Sequence, residues 1–176
     1  MSESLPSMTM GKEMRSTPAK PDQGLRLRAV DADDLAIIAA CFQDALIPLN
    51  EMAYLAEEGR FMGAFTRFCR EALHHPEKCD SDGLMQCQSV LAFDRVEGVR
   101  FRGLDPRFAR VRLELLTIVA EPAGEGLTHI TLVFAGDVAI QLRTRGIAAR
   151  MQDFGERWPA RCAPAHGFAT AAAGEA

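Results

Sequence analysis

The chain is short of lysine: only Lys12, Lys20 and Lys78 stand among its 20 basic residues, and the rest are Arg. Against 24 acidic residues the formal charge is −4. That balance disfavours a dedicated nucleic-acid binder, which needs a basic footprint. Aromatics are sparse as well, with one Trp and one Tyr beside 10 Phe, so few rings are on hand to stack bases. No run approaches the ~18 apolar residues of a membrane span, and the first residues hold no apolar segment like that of a secretory leader. Five cysteines (Cys41, Cys69, Cys79, Cys87 and Cys162) are odd in number and irregular in spacing. Reduced thiols in a cytoplasm fit them better than a disulfide framework. Also missing are GxxxxGK[ST], GxGxxG, GxSxG and HExxH, the signatures of phosphate loops, dinucleotide sites, serine hydrolases and zinc proteases. No cofactor is expected.

What is there divides into three parts. Residues 1–23 are rich in Ser, Pro, Lys and Met without an apolar period, and 163–176 form an Ala/Gly tail. Neither can bury enough surface to offset the entropy of ordering it. The expected domain is 24–162, roughly 140 residues, enough for one core and too few for two. The arginine bias fits a GC-rich genome, since Ala and Gly are also abundant, better than it fits anion recognition.

Within that domain Leu25-Arg-Leu-Arg-Ala-Val30 alternates, as a strand with one wet face does. Asp31 then caps a helix, with Asp34 at N3 in a carboxylate version of the capping box and Val30 and Leu35 placed as a hydrophobic staple. Leu35, Ile38, Ala39 and Phe42 make its buried stripe. The acidic cluster Asp31, Asp33 and Asp34 is thereby explained by capping and the helix dipole. Ala45–Leu55 and Phe61–Arg70 read as a hairpin around Glu57-Glu58-Gly59-Arg60, with Pro48 near a strand start, edge or bulge. Residues 71–88 read as irregular. Strands are expected at Ser89–Phe93, Val99–Gly103, Val111–Glu121, Thr128–Ala135 and Val138–Thr144, the last two joined at Gly136-Asp137 by a type II′ turn. Ile147, Met151, Phe154 and Trp158 step by four, three and four, which predicts an amphipathic helix over about 146–157 stopped by Pro159. The predicted fold is α+β: a strongly bent antiparallel sheet or small barrel of about seven strands, an early helix and a C-terminal helix, as in a pleckstrin-homology-like roll.

Candidate chemistry is thin. His74-His75-x3-Cys79-x7-Cys87 lacks the paired spacing of a zinc knuckle, so a solvated loop is expected and no metal. None of the cysteines sits in a nucleophile signature. The one feature with electrostatic content is Arg95, Arg100, Arg102, Arg107, Arg110 and Arg112. If 99–103 and 111–115 are neighbouring strands, their arginines gather on one face, interleaved with Asp94, Glu97, Asp105 and Glu114. Arg95, Arg100, Arg102, Arg110 and Arg112 are thus the candidate binding residues. The expectation is a non-catalytic binding or adaptor domain holding a protein partner through that face or through a strand edge near Pro48. Nucleic acid is disfavoured, because Phe101 points away from the arginines. A small enzyme or ligand-binding protein, with a pocket between sheet and C-terminal helix, is the alternative from another class. The sequence fixes no oligomeric state.

From Leu25 to His166 the chain resembles a bacterial family of unknown function, DUF2948. The matching text is LRLRAVDADDLAIIAACFQDALIPLNEMAYLAEEGRF, LAFDRVEGVRFRGLD, ITLVFAGDVAIQL and the ending Trp158-Pro with Pro164-Ala-His166. Phe93-Asp-Arg-Val96 and Arg102-Gly-Leu-Asp105 are its most specific pieces. The family tends to place Trp after Phe65-x-Arg67-Phe68, where this chain has Cys69. The resemblance implies no activity, cofactor or catalytic residue.

Overall fold

Buried and exposed side chains alternate with a period of two through many of the described segments, and most of the described residues are correspondingly in strands. A computed structural model describes residues 24–72, 84–104 and 111–161. The expectations for 1–23, 163–176, His74, His75, Cys79, Cys162, Arg107 and Arg110 lie outside the described residues. The elements are β1 (Arg26–Ala29), α1 (Ala32–Phe42), β2 (Ala45–Pro48), β3 (Met52–Leu55), β4 (Arg60–Phe68), β5 (Met85–Phe93), β6 (Val96–Arg102), β7 (Arg112–Pro122), β8 (Thr128–Phe134), β9 (Val138–Thr144) and β10 (Ala149–Pro159). They form one antiparallel sheet in the order β1-β10-β5-β4-β2-β7-β8-β9-β6, with β3 paired to β4 off this path.

α1 begins as its sequence dictates. Asp31 is the N-cap and its Oδ1 accepts from Asp34 N–H at 2.8 Å, while Asp34 Oδ2 accepts from Val30 N–H at 3.2 Å. The first bond satisfies a donor that the helix start leaves free, and the second reaches one residue beyond the N-cap, in a variant of the capping box. Leu35, Ile38, Ala39 and Phe42 are buried, and the Phe42 ring meets Phe65 edge-on at 5.1 Å between centroids. Burying each such ring contributes about 1.5–3 kcal/mol. The β3–β4 hairpin turns at Gly59, which holds φ 57°, a conformation that costs a residue with a Cβ more than it costs Gly.

The sheet folds back on itself. Only Asp94 and Arg95 separate β5 from β6, yet these strands are third and ninth in the order. The two halves therefore face each other, and their inner side chains, including Phe65, Leu91, Leu115, Ile130, Ile140 and Met151, form one core with α1.

Five expectations are corrected. There is no C-terminal helix: 149–159 is β10, paired with both β1 and β5. Its inward residues are Ala149, Met151 and Asp153, whereas Phe154 is 43% exposed. The period of 3.6 was a coincidence of spacing, because the true inward partner next to Phe154 is a carboxylate. The sheet has ten strands and is not closed into a barrel, so the pleckstrin-homology-like roll, which needs a capping C-terminal helix, does not describe it. The expected strand Ala45–Leu55 is broken by a 3-10 turn at Leu49–Glu51, and Met85–Gln88, expected to be irregular, belongs to β5. Gly136 and Asp137 both have positive φ, which a type II′ turn does not allow at its second position. No helix among the described residues is long and apolar enough to cross a membrane.

Candidate functional site

β1 puts Leu27 and Ala29 toward the core and Arg26 and Arg28 on the outer face. β10 does the same with Met151 inside and Arg150 and Gln152 outside. The register sets Arg26 opposite Gln152 and Arg28 directly opposite Arg150. Beyond β10 the same outer rows continue as Ala92 then Met62, and Val90 then Ala64, on β5 and β4. The result is an open groove of about 580 Å³ with an apolar floor of Met62, Val90, Ala92 and Phe154. Arg26, Arg28, Arg60 and Arg150 line it.

The four guanidinium groups are unequally matched. Asp94 serves two of them, at 2.7 Å from Arg60 Nε and 3.0 Å from Arg150 Nη2, and Glu58 lies 2.9 Å from Arg60 Nη1. The hydrogen bond and charge of Asp94 raise the pKa of Arg60. No carboxylate among the described residues pairs with Arg26 or Arg28. Like charges directly across a strand pair are unfavourable, so the Arg28–Arg150 pair is a local surplus of positive charge that an anion would relieve.

Beneath the same strands, on the inner face, lies a polar cluster built on Arg67, which is fully buried. Its Nε and Nη2 donate to Asp153 at 2.9 and 2.7 Å, Nη1 and Nη2 donate to Glu71 at 3.0 and 2.7 Å, and Nη1 also donates to Phe68 C=O at 3.1 Å. Ser89 Oγ–H and Leu25 N–H both donate to Asp153. Every guanidinium donor is thereby committed. Burial alone would lower the pKa of Arg67, but bonds to Glu71 and Asp153 raise it well above the usual value. Burial likewise pushes Asp153 and Glu71 up, and the Arg67 bonds bring both below the ordinary carboxylate range. With no donor left over, Arg67 ties β4 to β10 and offers nothing to a ligand.

Cys69 and Cys87 are buried beside this cluster. Their hydrogen bond lowers the pKa of Cys69 against the opposing effect of burial, and raises that of Cys87 together with burial. Burial also raises Cys41. His129, the histidine among the described residues, is on the outer side of β8 opposite Arg143, so no imidazole among the described residues reaches these thiols. No group of three or more His, Cys, Asp or Glu side chains placed to hold a metal occurs among the described residues.

The arginines singled out from sequence are dispersed. Arg95 occupies the β5–β6 turn with φ 61°. Arg100 and Arg102 are exposed on β6, the last strand in the order, and Arg102 pairs with Asp137 at 3.2 Å. Arg112 opens β7 opposite Pro48 and lines a second groove of about 640 Å³ with Thr66, Gln88 and Glu114. Because β8 and β9 lie between β7 and β6, Arg112 does not join Arg100 and Arg102 on adjacent strands. Pro48 is the last residue of β2, paired with Arg112 of β7, and β2 stands between β4 and β7 in the order and is not an edge strand. Arg26 and Arg28 were visible as the wet face of the first alternating segment. Arg150 was hidden by the helical periodicity, and Arg60 by its place in a turn.

A protein-family model described as a protein of unknown function, DUF2948, matches residues 25–166. Neither the curated proteins nor the solved structures yield a match.

Proposed function

Since the chain belongs to the DUF2948 family, whose description assigns no activity, we propose from its geometry that it is a non-catalytic binding module holding an acidic segment of a protein partner. The observation that carries this is the Arg28–Arg150 opposition in a groove with an apolar floor. Arg150 shares the single carboxylate of Asp94 with Arg60, and no carboxylate among the described residues pairs with Arg28. The pair therefore keeps a surplus of positive charge that an entering carboxylate relieves through short charge-assisted hydrogen bonds. The floor of Met62, Val90 and Ala92 adds apolar contact that a bare polyanion would not use, which favours a polypeptide over nucleic acid. The enzyme alternative loses its support, because its pocket required a C-terminal helix as second wall. Arg100 and Arg102 are the other cationic face compatible with this function. They flank a smaller groove of about 240 Å³, and the partner of Arg102 already occupies part of its charge.

Fluorescence anisotropy with a labelled eight-residue peptide alternating Glu and Val tests the proposal. Arg28→Glu/Arg150→Glu is expected to weaken binding roughly tenfold or more, each unit of Coulomb attraction being replaced by repulsion, and Arg100→Glu/Arg102→Glu to leave it within about threefold. Arg28→Ala should fold as stably as wild type, because it removes repulsion. Equal affinity of wild type and Arg28→Glu/Arg150→Glu, or tighter binding of a single-stranded nucleic acid at the same face, would sink the proposal.

A further inference from the structure

β1 ends the sheet order, with β10 on one side and no paired strand among the described residues on the other. Its contact with β10 fixes which backbone groups point outward. Leu25 C=O accepts from Asp153 N–H at 2.9 Å, and Leu25 N–H donates to Asp153 Oδ2 at 2.9 Å. Successive residues of an antiparallel strand direct their N–H and C=O to opposite sides. Leu25, Leu27 and Ala29 therefore serve β10, while Arg26, Arg28 and Val30 point to the open edge. Asp34 takes the Val30 N–H, which leaves Arg26 and Arg28 to present theirs.

We infer that this edge takes up an extended acidic strand of the partner, added beside β1. The inference rests on the binding-module function above and specifies its ligand. Residues of an added antiparallel strand directly opposite Arg26 and Arg28 share their outer face. Acidic side chains there meet Arg26 and Arg28, with Arg150 one strand further in. The residues between them fall on the side of Leu27 and Ala29, which is apolar. The occupant is thus a segment alternating acidic and apolar residues, bound through main-chain hydrogen bonds and selected by charge. A second copy of this chain is disfavoured, because β1 against β1 would set Arg26 and Arg28 against like charges. The chain's own first 23 residues are no better, since Glu3, Glu13 and Asp22 are balanced by Lys12, Arg15 and Lys20.

Backbone methylation separates strand addition from charge alone. The full chain is titrated with the Glu–Val peptide, with a version N-methylated at its Glu residues, and with one N-methylated at Val. Antiparallel addition predicts roughly tenfold weaker binding for the Glu-methylated peptide and under about threefold change for the Val-methylated one; parallel addition predicts the reverse. Hydrogen exchange at the Arg26 and Arg28 amides should slow on binding the unmodified peptide. If both methylated peptides bind like the parent and the two amides stay unprotected, strand addition is wrong while the charge-based function stands. If no peptide binds, or binding ignores Arg28→Glu/Arg150→Glu, both fall.

Discussion

Removing the Arg67 guanidinium would leave the Asp153 carboxylate buried with only Ser89 Oγ–H and Leu25 N–H to stabilise it. An unpaired buried charge costs about 3–5 kcal/mol, whereas replacing both partners by apolar groups is often neutral. Arg67→Leu should therefore lower the unfolding free energy, read from urea titration, by about that much. Arg67→Leu/Asp153→Leu should recover most of the loss; a double variant as unstable as the single would contradict the pairing. The same cluster sets an acid dependence. Asp153 and Glu71 have folded pKa values below their ordinary 3.8 and 4.5, so the unfolded chain binds more protons as pH falls through this range. Their contribution is fully present above those values and is lost as pH drops through the folded ones. Stability measured from about pH 6 down to about pH 2 should fall, with a shallower slope in Arg67→Leu/Asp153→Leu than in wild type.

At the scale of elements, β10 shows where sequence patterns inform and where they mislead. α1 was legible because capping is local: Asp31, Asp34 and the stripe from Leu35 to Phe42 all act within one element. β8 and β9 were legible because apolar residues flank a Gly-Asp turn on both sides and burial alternates through β8 and from Ile140 onward in β9. β10 was not, because its inward face carries Asp153, whose burial depends on Arg67, 86 positions away in sequence. Reading Asp153 as wet leaves Phe154 as the inward residue and turns a period of two into one near 3.6. The two periods make opposite predictions. Met151 is 2% exposed, and Met151→Ala should cost about 2–5 kcal/mol by denaturant titration. Phe154→Ala, on the outer face, should cost less than half as much as Met151→Ala; equal losses would restore the helical pattern.

Over the whole molecule the curl of the sheet decides what gathers. β6 and β7 follow one another in the chain but are separated by β8 and β9, so a cationic face inferred from sequence proximity does not assemble on adjacent strands. Arg28 and Arg150 are far apart in sequence yet face each other because β1 and β10 are paired at one end of the order. Only one half of that pair was legible, in the alternation of Leu25 to Ala29; the other half required the strand pairing. Recognition of an acidic segment at an exposed groove should weaken as ionic strength rises, because surface charges are screened beyond about 8–10 Å at physiological salt. The most direct test is an NMR titration of the full chain with the Glu–Val peptide, following backbone amides and arginine Nε–H signals. Saturable shifts are predicted at Arg26, Arg28, Arg60 and Arg150, with little change at Arg100, Arg102 and Arg112. Shifts confined to the latter three, or none that saturate, would contradict the groove as the binding site.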